Sequence, residues 1–282
     1  MAMPPGVTPE ALLAMLRSVR QDNTDGAELS GYLERDWRRF AYSWQLCRDV
    51  RGTCLELGAS PYFTTVLLRE FTDLQLALTN YFGPALSDGV DVLHYDSLRY
   101  PDADACRFAY DNFNIETDRF PYPDASFDLV LCCEIIEHLT HDPLPALREI
   151  KRVLKPGGRL VLTTPNVGAG RNLLKLIRGG NIYDRYSGYG PYGRHNREYT
   201  KSELVDLLAR CGLIVDQAFT ADVKKPGKAR RVGNLILRMM VGLFSRERAR
   251  CLGQYIFLSA VSAGEAQSGR PSWLYRSFDD GV

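Results

Sequence analysis

The sequence predicts an α/β domain with a doubly wound, mainly parallel sheet and helices on both faces. Three observations carry this. From Thr53 onward, short apolar runs alternate with amphipathic ones, as strand, turn and helix do when repeated. The run Phe127–Cys133 is almost wholly apolar, as a strand covered on both faces should be. A length of 282 residues suits one generous α/β domain. A fold of that size buries roughly three-quarters of the surface its unfolded chain exposes and needs no covalent staples.

The elements follow in order. Residues 8–20 read as a helix, with Thr8 as cap, Pro9 in the first turn, and Leu12, Leu16 and Val19 on one face. A second helix over about 27–48 carries Leu29, Leu33, Trp37, Phe40 and Trp44 at spacings of three and four. Residues 1–50 are therefore expected to form a helical cap at one edge of the core. Strands are predicted at Cys54–Leu57, Leu74–Thr79, Phe108–Ile115, Phe127–Cys133, Arg159–Thr163, Leu213–Ala218 and Tyr255–Val261, seven in all. Ser60-Pro61 supplies a cap and a first-turn proline for a helix running to Phe71. Further helices span Pro143–Leu154 and, from the capping box at Thr200 and Glu203, the stretch up to Gly212. The core is expected to end at Ser262, leaving 263–282 as a mobile tail.

Composition narrows the function. The seven cysteines, Cys47, Cys54, Cys106, Cys132, Cys133, Cys211 and Cys251, form an odd set with no Cys-x-x-Cys pair. They read as reduced thiols in a cytoplasmic protein. The four histidines do not stand at zinc-ligand spacing from them. Met1–Pro9 has no signal-peptide pattern, and no apolar run reaches the roughly 18 residues of a spanning helix. A net charge of +1 gives no reason to expect nucleic acid as a partner.

In an open doubly wound sheet, ligands bind beyond the carboxyl ends of the strands, where the strand order reverses. The stretch Leu55-Glu56-Leu57-Gly58-Ala59-Ser60-Pro61-Tyr62 argues against a dinucleotide there. A pyrophosphate needs second and third glycines for close backbone approach, and larger residues fill those places. Gly58 alone would let a small zwitterion lie over the first turn.

The run Phe120-Pro121-Tyr122-Pro123-Asp124-Ala125-Ser126-Phe127-Asp128-Leu129-Val130-Leu131-Cys132-Cys133-Glu134-Ile135-Ile136-Glu137-His138-Leu139 resembles the fourth-strand signature of class I S-adenosylmethionine-dependent methyltransferases of the type 11 kind. Arg148 to Leu160, with Lys155-Pro156-Gly157-Gly158 at its centre, is similar to that family's run into strand five. Leu55-Glu56-Leu57-Gly58 takes the place of its first motif, without the usual three glycines. The resemblance covers about residues 50–220. It implies a Rossmann-like fold, S-adenosylmethionine as cofactor, and methyl transfer to an acceptor. His195-Asn196-Arg197-Glu198-Tyr199-Thr200 is similar to a segment of a subset associated with glycan or secondary-metabolite modification, which implies O-methylation of a sugar-like hydroxyl. The acceptor expected is thus a small molecule, a sugar or a lipid-linked glycan.

The resemblance also implies residue roles. Glu56, Gly58 and Ala59 would hold the methionine end, and Cys133 and Glu134 would line it. Asn80 and Tyr81 would meet the ribose, Asn80 in place of the usual acid. Ile115 and Glu116 would flank adenine. An attacking alcohol must shed its proton, and histidine titrates in the right range. His138 and His195 are the two candidates, with a purely structural role open for each. Glu134, Glu137, His138 and His141 crowd one turn, a poor arrangement for a metal, and none is expected.

The loop bearing Tyr183, Tyr186, Tyr189, Tyr192 and Tyr199, with Arg185, Arg194 and Arg197, is either an acceptor-gripping lid or a surface loop packed on its own tyrosines. Tyr192, Arg194, Arg197 and Tyr199 are its expected acceptor contacts. It lies in the stretch 166–199, expected beside the acceptor. An insertion at 222–252 combines Val232, Leu235, Ile236, Met239, Met240, Leu243 and Phe244 with Lys224, Lys225, Lys228, Arg230, Arg231, Arg246, Arg248 and Arg250. Such a basic amphipathic helix rests on an anionic membrane, caps the acceptor site or forms a homodimer contact. Two rival readings remain from the residues alone. One is a scaffold that has kept the fold without the chemistry, and the other is a nicotinamide oxidoreductase, which the missing glycines disfavour.

Overall fold

The computed structural model describes all residues except 23, 84–85, 103–104, 189, 225–227 and 277–282, and not the side chains of 228–232. Tyr189, Lys225 and the side chains of Lys228, Arg230, Arg231 and Val232, all named above, lie outside the described residues.

The chain begins with α1 (Pro9–Ser18), capped by the Thr8 hydroxyl, and a two-residue strand β1 (Arg20–Gln21). Next comes α2 (Gly26–Cys47), capped by Asp25. β2 (Thr53–Leu57), α3 (Phe63–Phe71), β3 (Gln75–Asn80), β4 (Gly89–His94), β5 (Cys106–Asn112) and β6 (Phe127–Cys133) follow. α4 (Pro143–Val153), β7 (Leu154–Pro165), α5 (Gly170–Ile177), α6 (Lys201–Arg210) and β8 (Leu213–Ala221) complete the core with β9 (Tyr255–Ser262). Between the last two strands stand α7 (Lys228–Phe244) and α8 (Arg246–Arg250).

The sheet has nine strands rather than the expected seven, in the order β1-β4-β5-β3-β2-β6-β7-β9-β8. The seven predicted strands form its centre, and β4 and β1 extend one edge. β4 has one buried residue, Leu93, among half-buried and exposed ones, a weak pattern beside the apolar central strands. β1 exists only through its pairing with β4, Arg20 opposite His94 and Gln21 opposite Leu93. β2, β3, β5, β6 and β7 run parallel, whereas β9 is antiparallel to both β7 and β8.

One apolar cluster fills the side under α1, α2 and α3, built around Leu12, Leu33, Trp44, Phe63 and Leu67. The other fills the side under α4 and α6, built around Leu147, Ile150, Tyr199, Leu204 and Leu208. The capping box at Thr200 and Glu203 is present as expected.

Three local expectations fail. The first helix after Gly58 begins at Phe63, two residues past Pro61: the Ser60–Pro61 peptide is cis, and Tyr62 takes a left-handed φ of 67°. Lys155–Gly158 lie inside β7 rather than between elements. The segment 263–276, expected to be mobile, packs back on the core. Trp273 Nε1 donates to Asp206 at 2.7 Å, Arg270 meets Asp142 at 3.1 Å, and the Tyr275 hydroxyl donates to Asp142.

Candidate active site

The strand order reverses at β2, so the crevice opens where β2 and its neighbour β6 end together, Leu57 beside Cys132. Gly58 turns the chain there with φ of 61°, and a Cβ on it would stand 2.9 Å from Ile135 Cδ1. The positive φ favours glycine here, while the Ile135 methyl could swing aside. A cavity of about 90 Å³ lies against this turn, lined by Arg39, Glu56, Gly58, Cys133 and Glu134 among others.

The cavity is charged in a specific pattern. Arg39 reaches in from α2 with 4% of its surface exposed. Its Nη1 lies 3.4 Å from Glu134 Oε2, its other terminal nitrogen donates to the Tyr32 hydroxyl, and its Nε has no hydrogen-bond partner. Glu56 is fully enclosed, and burial pushes its pKa up to about 8, against the opposing pull of the Thr65 hydroxyl that donates to it at 2.6 Å. Glu134, left-handed at φ 58°, accepts from the Thr163 hydroxyl at 2.9 Å. Burial raises the Cys133 thiol to about 11, so it stays protonated. Two carboxyl groups and a guanidinium with an idle N–H match a zwitterion carrying one ammonium and one carboxylate, such as the amino-acid end of S-adenosylmethionine.

The rim expected to meet the nucleoside is occupied by the protein's own contacts. Asn80 accepts from Ser60 N–H at 2.9 Å and donates to the Tyr62 hydroxyl at 2.8 Å, and that hydroxyl donates to Asp91 at 2.5 Å. Glu116 accepts from the backbone N–H groups of Thr140, His141 and Asp142 and from the hydroxyls of Thr140 and Tyr192. Burial alone would raise its pKa, but these donors outweigh it and hold the carboxyl below the usual range. Tyr192 also accepts from Asn114 at 3.0 Å and meets Tyr81 edge-on at 5.9 Å. Glu116 thus fastens the turn before α4, and Tyr192 lies against the 114–116 segment. Ile115 is half-buried against the α4 cluster. A larger cavity of about 460 Å³ lies over β3, β4 and β5 around Ala77, Val90 and Ala109, and contains none of the predicted site residues.

The two candidate histidines come together although 57 residues separate them in the chain. A 3-10 turn, Ile136–His138, follows β6, and the loop after Pro191 folds onto it. Asn196 fixes this docking: its N–H donates to the Glu137 carbonyl at 2.7 Å, and its side-chain amide donates to the carbonyls of His138 and Pro191. The imidazoles then meet edge to face with centroids 5.0 Å apart. His138 Nδ1 pairs with the Arg194 carbonyl at 3.0 Å, and His195 Nδ1 with Glu198 Oε1 at 2.9 Å.

Burial, then the neighbouring His195, lowers the His138 pKa. Burial also opposes charge on His195, yet Glu198, Glu137 and Asp184 outweigh it and raise that pKa. Glu137 is wholly buried, which pushes its pKa to about 7. Its Oε2 accepts from the Thr164 hydroxyl at 2.8 Å, while Oε1 has no hydrogen-bond partner and lies 4.0 Å from His138 Nε2.

The remaining loop residues are committed elsewhere. Arg197 pairs with Glu203 at 3.0 Å and lies over Tyr199, which is 2% exposed. Arg194 hydrogen-bonds Asn196 and stacks on Tyr186. Glu134 does not share a face with His138: it turns toward Arg39, while His141 bonds Thr140. Sequence reasoning missed Arg39, Asn196 and Glu137 as members of the site. From the sequence Arg39 reads as part of the polar face of the second helix, with Glu34, Arg35 and Arg38; the structure instead buries it, at 4% exposed. Asn196 had only its place beside His195.

Comparison with known proteins bears on the fold and on one segment of the chain. Residues 84–162 match the family model described as a methyltransferase domain. The chain is 32% identical over 140 residues to a demethylmenaquinone methyltransferase of Deinococcus radiodurans, covering 48% of this chain and 51% of the relative. It is 37% identical over 89 residues to a ubiquinone biosynthesis O-methyltransferase of Ruegeria pomeroyi, covering 31% and 34%. The chain thus spans about half, or less, of the length of these curated relatives. Among solved structures, a chain from the complex of the Haloferax volcanii Trm112 methyltransferase activator with a methyltransferase superposes with a TM-score of 0.53 at 17% identity. That superposition covers 93% of this chain and 100% of the other. An S-adenosylmethionine-dependent methyltransferase of Archaeoglobus fulgidus gives 0.50 at 15% identity, covering 79% and 91%.

The fold and strand order are those of a Rossmann-like methyltransferase domain. The segment that matches the family model holds the motif around Asp128 and runs through that around Pro156.

Proposed function

We propose that the chain transfers a methyl group from S-adenosylmethionine to a hydroxyl of a small organic acceptor, with a sugar, lipid-linked glycan or secondary-metabolite hydroxyl as the acceptor class. The observation that carries this is the crevice at Gly58, where Arg39, Glu56 and Glu134 surround a space suited to a zwitterion. The bound cofactor supplies an electrophilic methyl on a sulfonium. Arg39 presents its idle Nε–H to the carboxylate, and Glu56 and Glu134 face the ammonium. The backbone at Gly58 lets the chain lie close. The Glu137–His138–His195 cluster stands on the next turn after β6 and is the device that removes the acceptor's proton. Alignment of the attacking oxygen supplies several kcal/mol of the rate advantage and proton removal about 10²–10⁴-fold more.

The exposed stripe on α7 fits an acceptor drawn from a membrane. Ile236, Met239, Met240 and Leu243 stand 53%, 67%, 56% and 84% exposed on one face, and Arg238, Arg246, Arg248 and Arg250 are exposed nearby. The names of the curated relatives add demethylated quinones to the acceptors to be tried.

Labelled S-adenosylmethionine, incubated with sugar, nucleotide-sugar, lipid-linked glycan, phenolic and quinone precursors, should mark one class. Calorimetry on Arg39→Met should show S-adenosylmethionine weakened by about 10–100-fold, the range of a lost charged hydrogen bond. Decarboxylated S-adenosylmethionine should bind the variant and the parent alike. Equal losses for both ligands would remove Arg39 from the carboxylate, and no saturable binding by the parent would leave a scaffold.

A further inference from the structure

Glu137, His138 and His195 offer one ligand atom each, and these atoms all lie within 4.8 Å of one another. The hydrogen bonds around them are those of a prepared donor set. Both imidazoles use Nδ1 on a protein oxygen, the Arg194 carbonyl and the Glu198 carboxylate, which fixes the tautomer with Nδ1–H and leaves the Nε2 lone pair for a ligand. Glu137 is anchored through Oε2 by Thr164, and Oε1 is buried with no hydrogen-bond partner. A buried carboxylate oxygen with no donor is costly unless something positive meets it. The backbone supports the same arrangement, because Asn196 clamps the loop carrying His195 onto the turn carrying the other two.

We propose that this cluster is a divalent cation site, with Glu137 Oε1, His138 Nε2 and His195 Nε2 as ligands. Two imidazoles and one carboxylate suit a first-row transition ion such as Zn²⁺ or Mn²⁺, and three protein ligands leave a position open for an oxygen from outside. Ligand atoms around a tetrahedral zinc stand about 3.3 Å apart, given bonds of roughly 2.0–2.1 Å. Side-chain rotations that draw the three groups inward by about an ångström close that gap. The inference rests on the methyl-transfer reading for its purpose: an ion here would polarise the acceptor hydroxyl, so that its proton leaves to solvent at neutral pH.

The test uses the full chain after treatment with a chelator. Mn²⁺ is titrated and followed by electron paramagnetic resonance, since manganese avoids the seven free thiols. One ion should bind the parent saturably. Glu137→Gln and His195→Gln should weaken it at least tenfold. Glu198→Gln, which disturbs only the orientation of His195, should weaken it about 10-fold, within the range for such supporting groups. Circular dichroism checks that each variant is folded. S-adenosylmethionine affinity is measured on the same samples without manganese. No saturable manganese binding by the parent, or binding by Glu137→Gln and His195→Gln as tight as the parent's, overturns the cation site. Loss of S-adenosylmethionine binding by the parent would instead overturn the methyltransferase reading, so the two failures are distinguishable.

Discussion

At the scale of single residues, the site is organised by groups whose burial is unfavourable in isolation. Glu56 is held neutral at physiological pH by desolvation, with its pKa at about 8. An acid raised in the folded state contributes stability that is fully present below the unfolded value near 4.5 and is lost as pH rises to about 8. Glu56→Gln should therefore melt higher than the parent at pH 8 and show little difference near pH 4.5, while binding S-adenosylmethionine less tightly. Thermal melts across pH give the first result and calorimetry the second. An unchanged melting difference across that range would mean that Glu56 is not neutral in the fold. The ligand's ammonium should also draw the proton off Glu56. Binding at pH 7 should then release up to one proton, seen as a dependence of the heat on buffer ionisation enthalpy.

At the scale of elements, the decisive unit is the junction between the 136–138 turn and the 191–197 loop. Its strength is concentrated in Asn196, which makes three hydrogen bonds to it or to its neighbour Pro191. Asn196→Ala should free the loop. Limited proteolysis should cut faster within 183–199, and turnover should fall by about tenfold or more, with S-adenosylmethionine affinity at the Gly58 crevice little changed. Equal proteolysis rates would show that other contacts hold the loop.

This junction also marks where the sequence stops being readable. The centre of the sheet was legible because apolar strands such as Phe127–Cys133 announce burial directly. The capping box at Thr200 was legible because its chemistry is local. The edge strands β4 and β1 were not, because short half-exposed strands exist through their partner and carry little pattern of their own. Gly58, Glu56 and Glu134 were named through the family resemblance, and the structure brings all three to one cavity. The pairing of Glu137 with His138 and His195 is a long-range contact that no spacing along the chain encodes. Asn80 and Glu116 are ligand contacts by the resemblance alone; in the fold Asn80 bonds Ser60 and Tyr62, and Glu116 bonds the turn before α4, pairings that no local pattern announces.

At the scale of the whole molecule, polar and apolar surfaces are distributed unevenly. Most large apolar side chains are enclosed in two clusters either side of the sheet, while α7 displays a row of them to solvent. Leu237, on the other side of α7, is buried against Gly170 at the start of α5, so the helix is seated and its outward stripe is not a packing defect. Among the described residues no helix is long and apolar enough to cross a membrane. The stripe suits contact with a surface. Met239→Glu with Leu243→Glu should abolish sedimentation with vesicles containing phosphatidylglycerol and leave methylation of a water-soluble acceptor unchanged. Undiminished sedimentation would place the contact elsewhere. The parent should lose binding as salt rises, because exposed arginine contributions are screened.

Beyond their apolar packing over one side of the sheet, the N-terminal fifty residues reach the molecule at two further, distant points. β1 lengthens the sheet at one margin, and α2 sends Arg39 into the crevice near its middle. A fragment cut to begin at Thr53 would keep the whole parallel core. It would nonetheless expose β4 as a bare, pairing-competent margin and open one wall of the crevice to water, which makes it sticky and unable to grip a ligand. The unit that folds as one piece is therefore larger than the strand-and-helix core.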